Sequence, residues 1–231
     1  MSEHARNLVL FDIDGTLLRT EGAGVAAMLR AFTRLHGERG FNFEGVEIAG
    51  ALDGLLFARM MAQHGLPGDE GTHAEFQRIY ADELARALTP SVVRRMPGTT
   101  ELVGALRDAG AGVGLLTGNY ERTAHLKIAL VGFDRTHFPF GAFGADGPSR
   151  RHLTPVAIER AAAHLGRSFD PARVTIIGDT PHDIDCAKAH GCRALGVGTG
   201  PYSPERLLAA GADLAVADLA DLAAIRGWIL G

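Results

Sequence analysis

Five short apolar runs constrain this chain more than any other feature. They are "NLVLFDIDGTLL" (7–18), "AGVGLLTGN" (111–119), "RVTIIGDT" (173–180), "CRALGVGTG" (192–200) and "DLAVADL" (213–219). Most do not alternate with polar residues, and each is bounded by glycine or a polar group. Such runs read as strands buried on both faces, as in a parallel sheet. Helical patterns separate the later runs. Residues 99–109 end at Gly110, 120–131 end at Gly132, and 203–210 begin at the cap Ser203. Residues 155–165 place Pro155 in a first turn, with Gly166 as the stop. The alternation predicts a doubly wound, Rossmann-like α/β core around a parallel sheet.

The first run breaks this rhythm. Between Leu18 and residue 93 no strand is predicted, whereas 23–36, 53–64 and 73–88 carry apolar side chains at i, i+3 and i+4. The expected organisation is a core of residues 1–19 and 93–231. An all-helical cap of residues 20–92 interrupts it, and the chain re-enters the core around "MPGTT" (96–100). A chain of 231 residues is long enough for both.

Composition narrows the function. A net charge of −4 without a basic run argues against a nucleic-acid surface. No stretch approaches the roughly 18 apolar residues of a membrane span, and acids interrupt the N-terminal apolar run before it could serve as a signal peptide. Cys186 and Cys192 are too few for a disulfide framework, and with His182 and His190 they match no zinc spacing. Buried thiols in a cytoplasmic protein, monomer or homodimer, are expected.

Ligands of open α/β sheets bind beyond the carboxyl ends of the strands. Here those ends read Asp12-Ile13-Asp14-Gly15-Thr16, Thr117-Gly118-Asn119 and Gly178-Asp179-Thr180-Pro181-His182-Asp183. Any one of these acids could cap a helix. Capping explains neither the Asp12/Asp14 pair nor the Asp179/Asp183 pair. Carboxylates clustered at one rim suit a hard divalent cation such as Mg²⁺, which usually also meets phosphate. Gly15, Thr16, Gly118 and Asn119 are candidates to supply N–H groups and a hydroxyl to that phosphate. Asp12 and Asp14, two residues apart on a strand, are expected to point to one face. One would attack phosphorus while the other handles the leaving-group proton.

"DIDGT" (12–16), "LLTGN" (115–119) and "GDTPHD" (178–183), in this order, resemble the haloacid dehalogenase superfamily of aspartate-nucleophile hydrolases. "MPGTTELVGALRDAG" (96–110) and "YSPERLLAAGADLAVADLADL" (202–222) are similar to its phosphoglycolate-phosphatase-like branch. The resemblance implies that Asp12 is nucleophile and metal ligand. Asp14 would be general acid/base and lend the metal its backbone carbonyl, while Thr117 and the Gly118 N–H hold the phosphoryl group. Asp179 would ligate the metal directly, with Asp183 supporting it, and residues 20–92 would be the helical cap that selects the substrate.

The family normally supplies a lysine before the third core strand, but "GADGPSRRHLTP" (144–155) has none. Arginine can stand in, because it stays charged and binds phosphate bidentately. The resemblance to a variant pattern with an arginine five residues before the proline favours Arg150 ahead of Arg151 and His152. In the cap, "GALDG" (50–54) resembles a specificity segment, with Asp53 and Arg59 as candidate substrate contacts; a helix N-cap and a solvated arginine are their alternatives.

The expected activity is Mg²⁺-dependent hydrolysis of a small phosphorylated metabolite, phosphoglycolate-like or another. A sugar phosphomutase would use the same machinery. A dehalogenase has no use for Asp14, because halide leaves without a proton. Schiff-base phosphonate cleavage needs a cap lysine, and the only lysines are Lys127 and Lys188. A regulatory phosphate-binding module would be expected to have lost one of the carboxylates.

Overall fold

The computed structural model describes residues 7–231. Six parallel strands form the central sheet. They are β1 (Leu8–Phe11), β4 (Gly112–Leu116), β5 (Gly141–Ala142), β6 (Val174–Gly178), β7 (Arg193–Val197) and β8 (Leu214–Val216), in the order β5-β4-β1-β6-β7-β8. The five predicted runs are five of these strands. The sixth, β5, is a Gly-Ala pair too short to register as a run. β1 is central, with Leu8 beside Gly112 on one side and Val174 on the other.

Burial on both faces explains why β1 does not alternate. Leu8 and Leu10 pack with Leu153 and Ala157 of α6 (Arg150–Leu165) and Ile184 of α7 (Pro181–Lys188). Val9 and Phe11 face the other layer, with Leu102 and Leu106 of α4 (Thr99–Asp108), Ile128 of α5 (Glu121–Ala129) and Ile225 of α9 (Leu222–Leu230). α8 (Pro204–Ala209) completes the set, capped by the Ser203 hydroxyl, which accepts from the Arg206 N–H.

The segment between the first strand and α4 holds three helices, α1 (Ala23–His36), α2 (Asp53–Gln63) and α3 (Glu70–Ala87). Phenylalanines knit them together: the Phe32 and Phe76 rings stack at 4.3 Å, and Phe57 lies 4.9 Å from Phe76. These rings join the same apolar cluster as Val9 and Phe11, so the helices share a core with one face of the sheet. α3 starts earlier than its periodicity predicts because Asp69 accepts from the Thr72 N–H and caps it. No strand is predicted between Leu18 and residue 93, but β2 (Leu18–Arg19) runs into that span and pairs antiparallel with β3 (Arg94–Arg95), two residues apiece, where the chain leaves and re-enters the sheet.

One helix start is corrected. α6 begins at Arg150 rather than at Pro155, which lies in its second turn. Proline has no N–H for the carbonyl four residues earlier. That carbonyl, of Arg151, instead accepts a 2.7 Å hydrogen bond from His190 Nε2. The compensation comes from the end of α7, which no local pattern reveals. Cys186 and Cys192 are buried and unbridged, and burial raises their thiols to about 12 and about 11.

Candidate active site

The carboxyl ends of β1, β4 and β6 open on a cavity of about 410 Å³ that reaches into the α1–α3 helices. Asp12, Asp14, Thr117, Gly118, Asn119, Arg150 and Asp179 all border it. The Asp12 N–H donates to the Ile177 carbonyl at 2.9 Å, which ties the end of β1 to β6.

Asp12 and Asp14 both border this cavity, each with its own partners. The strand ends at Phe11, and the chain then turns, with the Gly15 and Thr16 N–H groups donating to the carbonyls of Leu18 and Ile13. Asp12, 4% exposed, meets Arg150 Nη2 at 3.1 Å through Oδ1. Asp14, whose side chain is 42% exposed, has different partners. Its Oδ2 accepts from Lys127 Nζ at 2.6 Å and from Asn119 Nδ2 at 2.8 Å. Each acid therefore has its own cation.

Lys127 is the residue at this site that sequence reasoning missed. It sits on α5, is 4% exposed, and also donates to Asn119 Oδ1 at 2.6 Å. Its rarity was visible in the sequence, but only the packing of α5 beside β4 aims it at Asp14. Asn119 links the group, because its Nδ2 also donates to Thr117 Oγ1 at 2.8 Å.

Arg150 enters from the start of α6 and bridges Asp12 and Asp183, while Nη1 donates to the Gly50 carbonyl at 3.2 Å. Burial works against its charge, but the Asp183 and Asp12 carboxylates more than offset this and raise its pKa. Its Nε is buried with no acceptor among the described residues. Arg151 points outward to Asp185 at 2.7 Å, and His152 bonds Ser149 on the surface.

Asp12, Asp179 and Asp183 bring carboxylate oxygens within 4.8 Å of one another. Burial, then Asp12 and Asp183, push Asp179 up to about 9; burial, opposed by Arg150, brings Asp12 to about 6. One guanidinium does not keep three buried carboxyl groups ionised, and their hard oxygens, once ionised, fit a divalent cation. The backbone closes in on Asp179: a Cβ on Gly15 (φ +83°) or Gly200 would come within 2.2 or 1.7 Å of its Oδ2. Asp183 is more occupied, since its Oδ2 accepts from the Thr180 N–H and hydroxyl at 3.0 and 2.7 Å.

The remaining expected residues sort as follows. The Gly15 and Thr16 N–H groups are already bonded, and the Thr16 hydroxyl donates to Asp179 Oδ1 at 3.3 Å, so neither offers a free donor for phosphate. The Gly118 N–H has no acceptor among the described residues. A Cβ on Gly118 would strike the Ala51 carbonyl at 2.0 Å, so only glycine lets the 50–53 segment lie on this loop. Asp53 is neither a free contact nor the N-cap of its own helix. It is the first residue of α2, and its Oδ2 accepts from the Tyr120 N–H at 3.0 Å, while its own N–H donates to Gly118. Arg59 is exposed and does not border the cavity. His182 lies beside Gly50, 3.9 Å from Glu47.

The haloacid dehalogenase-like hydrolase model matches residues 9–188. The chain belongs to this family. It is 29% identical over 208 residues to the probable phosphatase IndB of Dickeya dadantii, covering 88% of this chain and 86% of that protein. A phosphoglycolate phosphatase of Chromobacterium violaceum is 28% identical over 219 residues, covering 93% of each chain. Among solved structures, CbbY from Rhodobacter sphaeroides in complex with phosphate superposes with a TM-score of 0.72 at 21% identity, covering 96% of each chain. This hydrolase therefore has the family's α/β fold. No helix among its described residues is long and apolar enough to cross a membrane.

Proposed function

We propose that this hydrolase is a Mg²⁺-dependent phosphatase that cleaves a small phosphomonoester through an aspartyl-phosphate on Asp12. The observation that carries the reading is the convergence of Asp12, Thr117, Asp179 and Arg150 on one cavity from three neighbouring strand ends and one helix start. Relatives named as phosphatases support it.

Asp12, Asp179 and Asp183, with the Asp14 backbone carbonyl, would hold the cation, whose chemistry is to neutralise phosphoryl oxygens and the acids around them. Thr117 and the Gly118 N–H, which has no acceptor among the described residues, are donors for the remaining oxygens, with the Arg150 guanidinium beside Asp12. An Asp12 carboxylate oxygen forms the new O–P bond as the ester O–P bond breaks, and Asp14 gives its proton to the departing alkoxide. Asp14 then takes a proton from the water that attacks phosphorus, and the O–P bond to Asp12 breaks to release phosphate. Lys127 and Asn119 fix Asp14 Oδ2, which leaves Oδ1 for this proton traffic. Residues 20–92 act as the cap that excludes bulk water.

The test is release of inorganic phosphate from p-nitrophenyl phosphate with Mg²⁺. Asp12→Asn should abolish it with circular dichroism unchanged, and EDTA should abolish it in the parent. Substantial turnover by Asp12→Asn would remove the nucleophile assignment. Conversion of sugar phosphates to isomers without phosphate release would identify a phosphomutase instead.

A further inference from the structure

Part of the cavity wall is apolar. Val25 and Met28 of α1, Phe43 of the following loop and Leu56 of α2 line it. An apolar group covers such a wall favourably, whereas a charged group placed there loses hydration without recompense.

Two further polar groups line the same cavity. Arg19 on β2 is half-buried and makes no hydrogen bond or ion pair among the described residues. Tyr80 of α3 is 2% exposed, and its hydroxyl likewise has no partner among them. Burial, then Asp53 and Asp14, raise this phenol's pKa, so it remains a donor. The other charges nearby are engaged: Lys127 with Asp14 at 2.6 Å, Glu21 with Arg94 at 3.7 Å, and Arg150 with Asp12 at 3.1 Å. Arg19 is thus the cavity's uncommitted cation among the described residues.

The volume bears on the same question. About 410 Å³ falls in the range of roughly 300–1,000 Å³ typical of pockets that enclose drug-sized ligands. A two-carbon ester such as phosphoglycolate would leave most of the apolar wall wet. Its carboxylate, close to its phosphate, would compete with Asp12 and Asp179 for the same cations.

We propose that the substrate is a phosphate monoester of a mostly apolar, ring-sized organic group carrying a second anionic substituent. The ring packs on Met28, Phe43 and Leu56, the anion pairs with Arg19, and the Tyr80 hydroxyl donates to a polar atom on the ring. This inference rests on the phosphatase reading above and names its substrate class.

Three probes separate the elements: phosphoglycolate, benzyl phosphate and 4-carboxybenzyl phosphate, each with saturating Mg²⁺ and phosphate release as readout. Benzyl phosphate should exceed phosphoglycolate in kcat/KM by about tenfold or more, the worth of apolar contact in a fitted pocket. The carboxylated ester should exceed benzyl phosphate by about tenfold again through a charge-assisted pair. The ratio of these two esters should collapse towards one in Arg19→Gln and largely survive in Arg19→Lys. Phosphoglycolate as the best of the three would overturn the apolar assignment, from the parent enzyme alone. An unchanged ratio in Arg19→Gln would overturn the anion assignment. Turnover of none of these, nor of p-nitrophenyl phosphate, would instead overturn the phosphatase reading beneath both.

Discussion

Two aspartates at the end of a buried strand carry a like-charge and desolvation cost. The molecule meets that cost at the level of single side chains. Arg150 sits on Asp12 at 3.1 Å, and Lys127 sits on Asp14 at 2.6 Å, from helices on opposite faces of the sheet. The division fits two tasks, since a nucleophile and a proton carrier need different surroundings. Lys127→Met should lower kcat by about 10²-fold with a smaller change in KM, because Asp14 loses the contact that orients it. Steady-state kinetics on p-nitrophenyl phosphate check this, and an unchanged kcat would remove Lys127 from the mechanism.

Between elements, single contacts join pieces that the chain keeps far apart. Proline inside α6 deprives the Arg151 carbonyl of its helical donor, and His190 at the end of α7 supplies one at 2.7 Å. His190→Ala should therefore destabilise by about 1 kcal/mol in the native background. The same change should cost much less in Pro155→Ala, where the helix regains its own N–H. A urea-denaturation double-mutant cycle reads the coupling, and additive losses would refute it. Asp53 joins α2 to the start of α5 through the Tyr120 N–H at 3.0 Å. Burial, opposed by Lys127 and that N–H, raises Asp53 from 3.8 to about 7. The native state thus holds a proton that the unfolded chain releases above its own lower pKa. Stability from this group is full below about pH 4 and is lost as pH climbs through 7, by on the order of 4 kcal/mol. Asp53→Asn keeps an acceptor for Tyr120 but cannot ionise. Its melting temperature relative to the parent should rise between pH 5 and pH 8, and a gap independent of pH would contradict the assignment.

At the scale of the whole molecule, the sheet order puts β1 between β4 and β6, so three strand ends meet over one cavity. Closing that cavity depends on glycines where backbones touch, such as Gly118 beneath the Ala51 carbonyl. The buried acids Asp12, Asp179 and Asp183 burden the fold when no cation offsets them. Mg²⁺ at about 100 times its Kd should stabilise the protein by about 2.7 kcal/mol, or roughly 5–10 °C in Tm. Asp179→Asn should abolish most of that rise in a thermal melt. An undiminished rise would place the cation elsewhere.

The sequence alone determined the layers and the acids. Runs buried on both faces specify a parallel sheet whatever surrounds them, because period and burial are local properties of the chain. The acids at the ends of β1 and β6 follow from strand position, as does Thr117 at the end of β4. Short or charged pairs such as Gly141–Ala142 and Arg94–Arg95 carry no such signal, so β5, β2 and β3 were invisible. Tertiary structure decided which group answers each acid. Arg150 reaches Asp12 from the start of α6, and Lys127, 113 residues from Asp14, reaches it only because α5 packs beside the sheet. Arg59 turned to solvent and Asp53 to Tyr120 for the same reason. Where a charged side chain ends is set by which partner the packing brings within 3 Å, and that distance is not encoded in any short stretch of the chain.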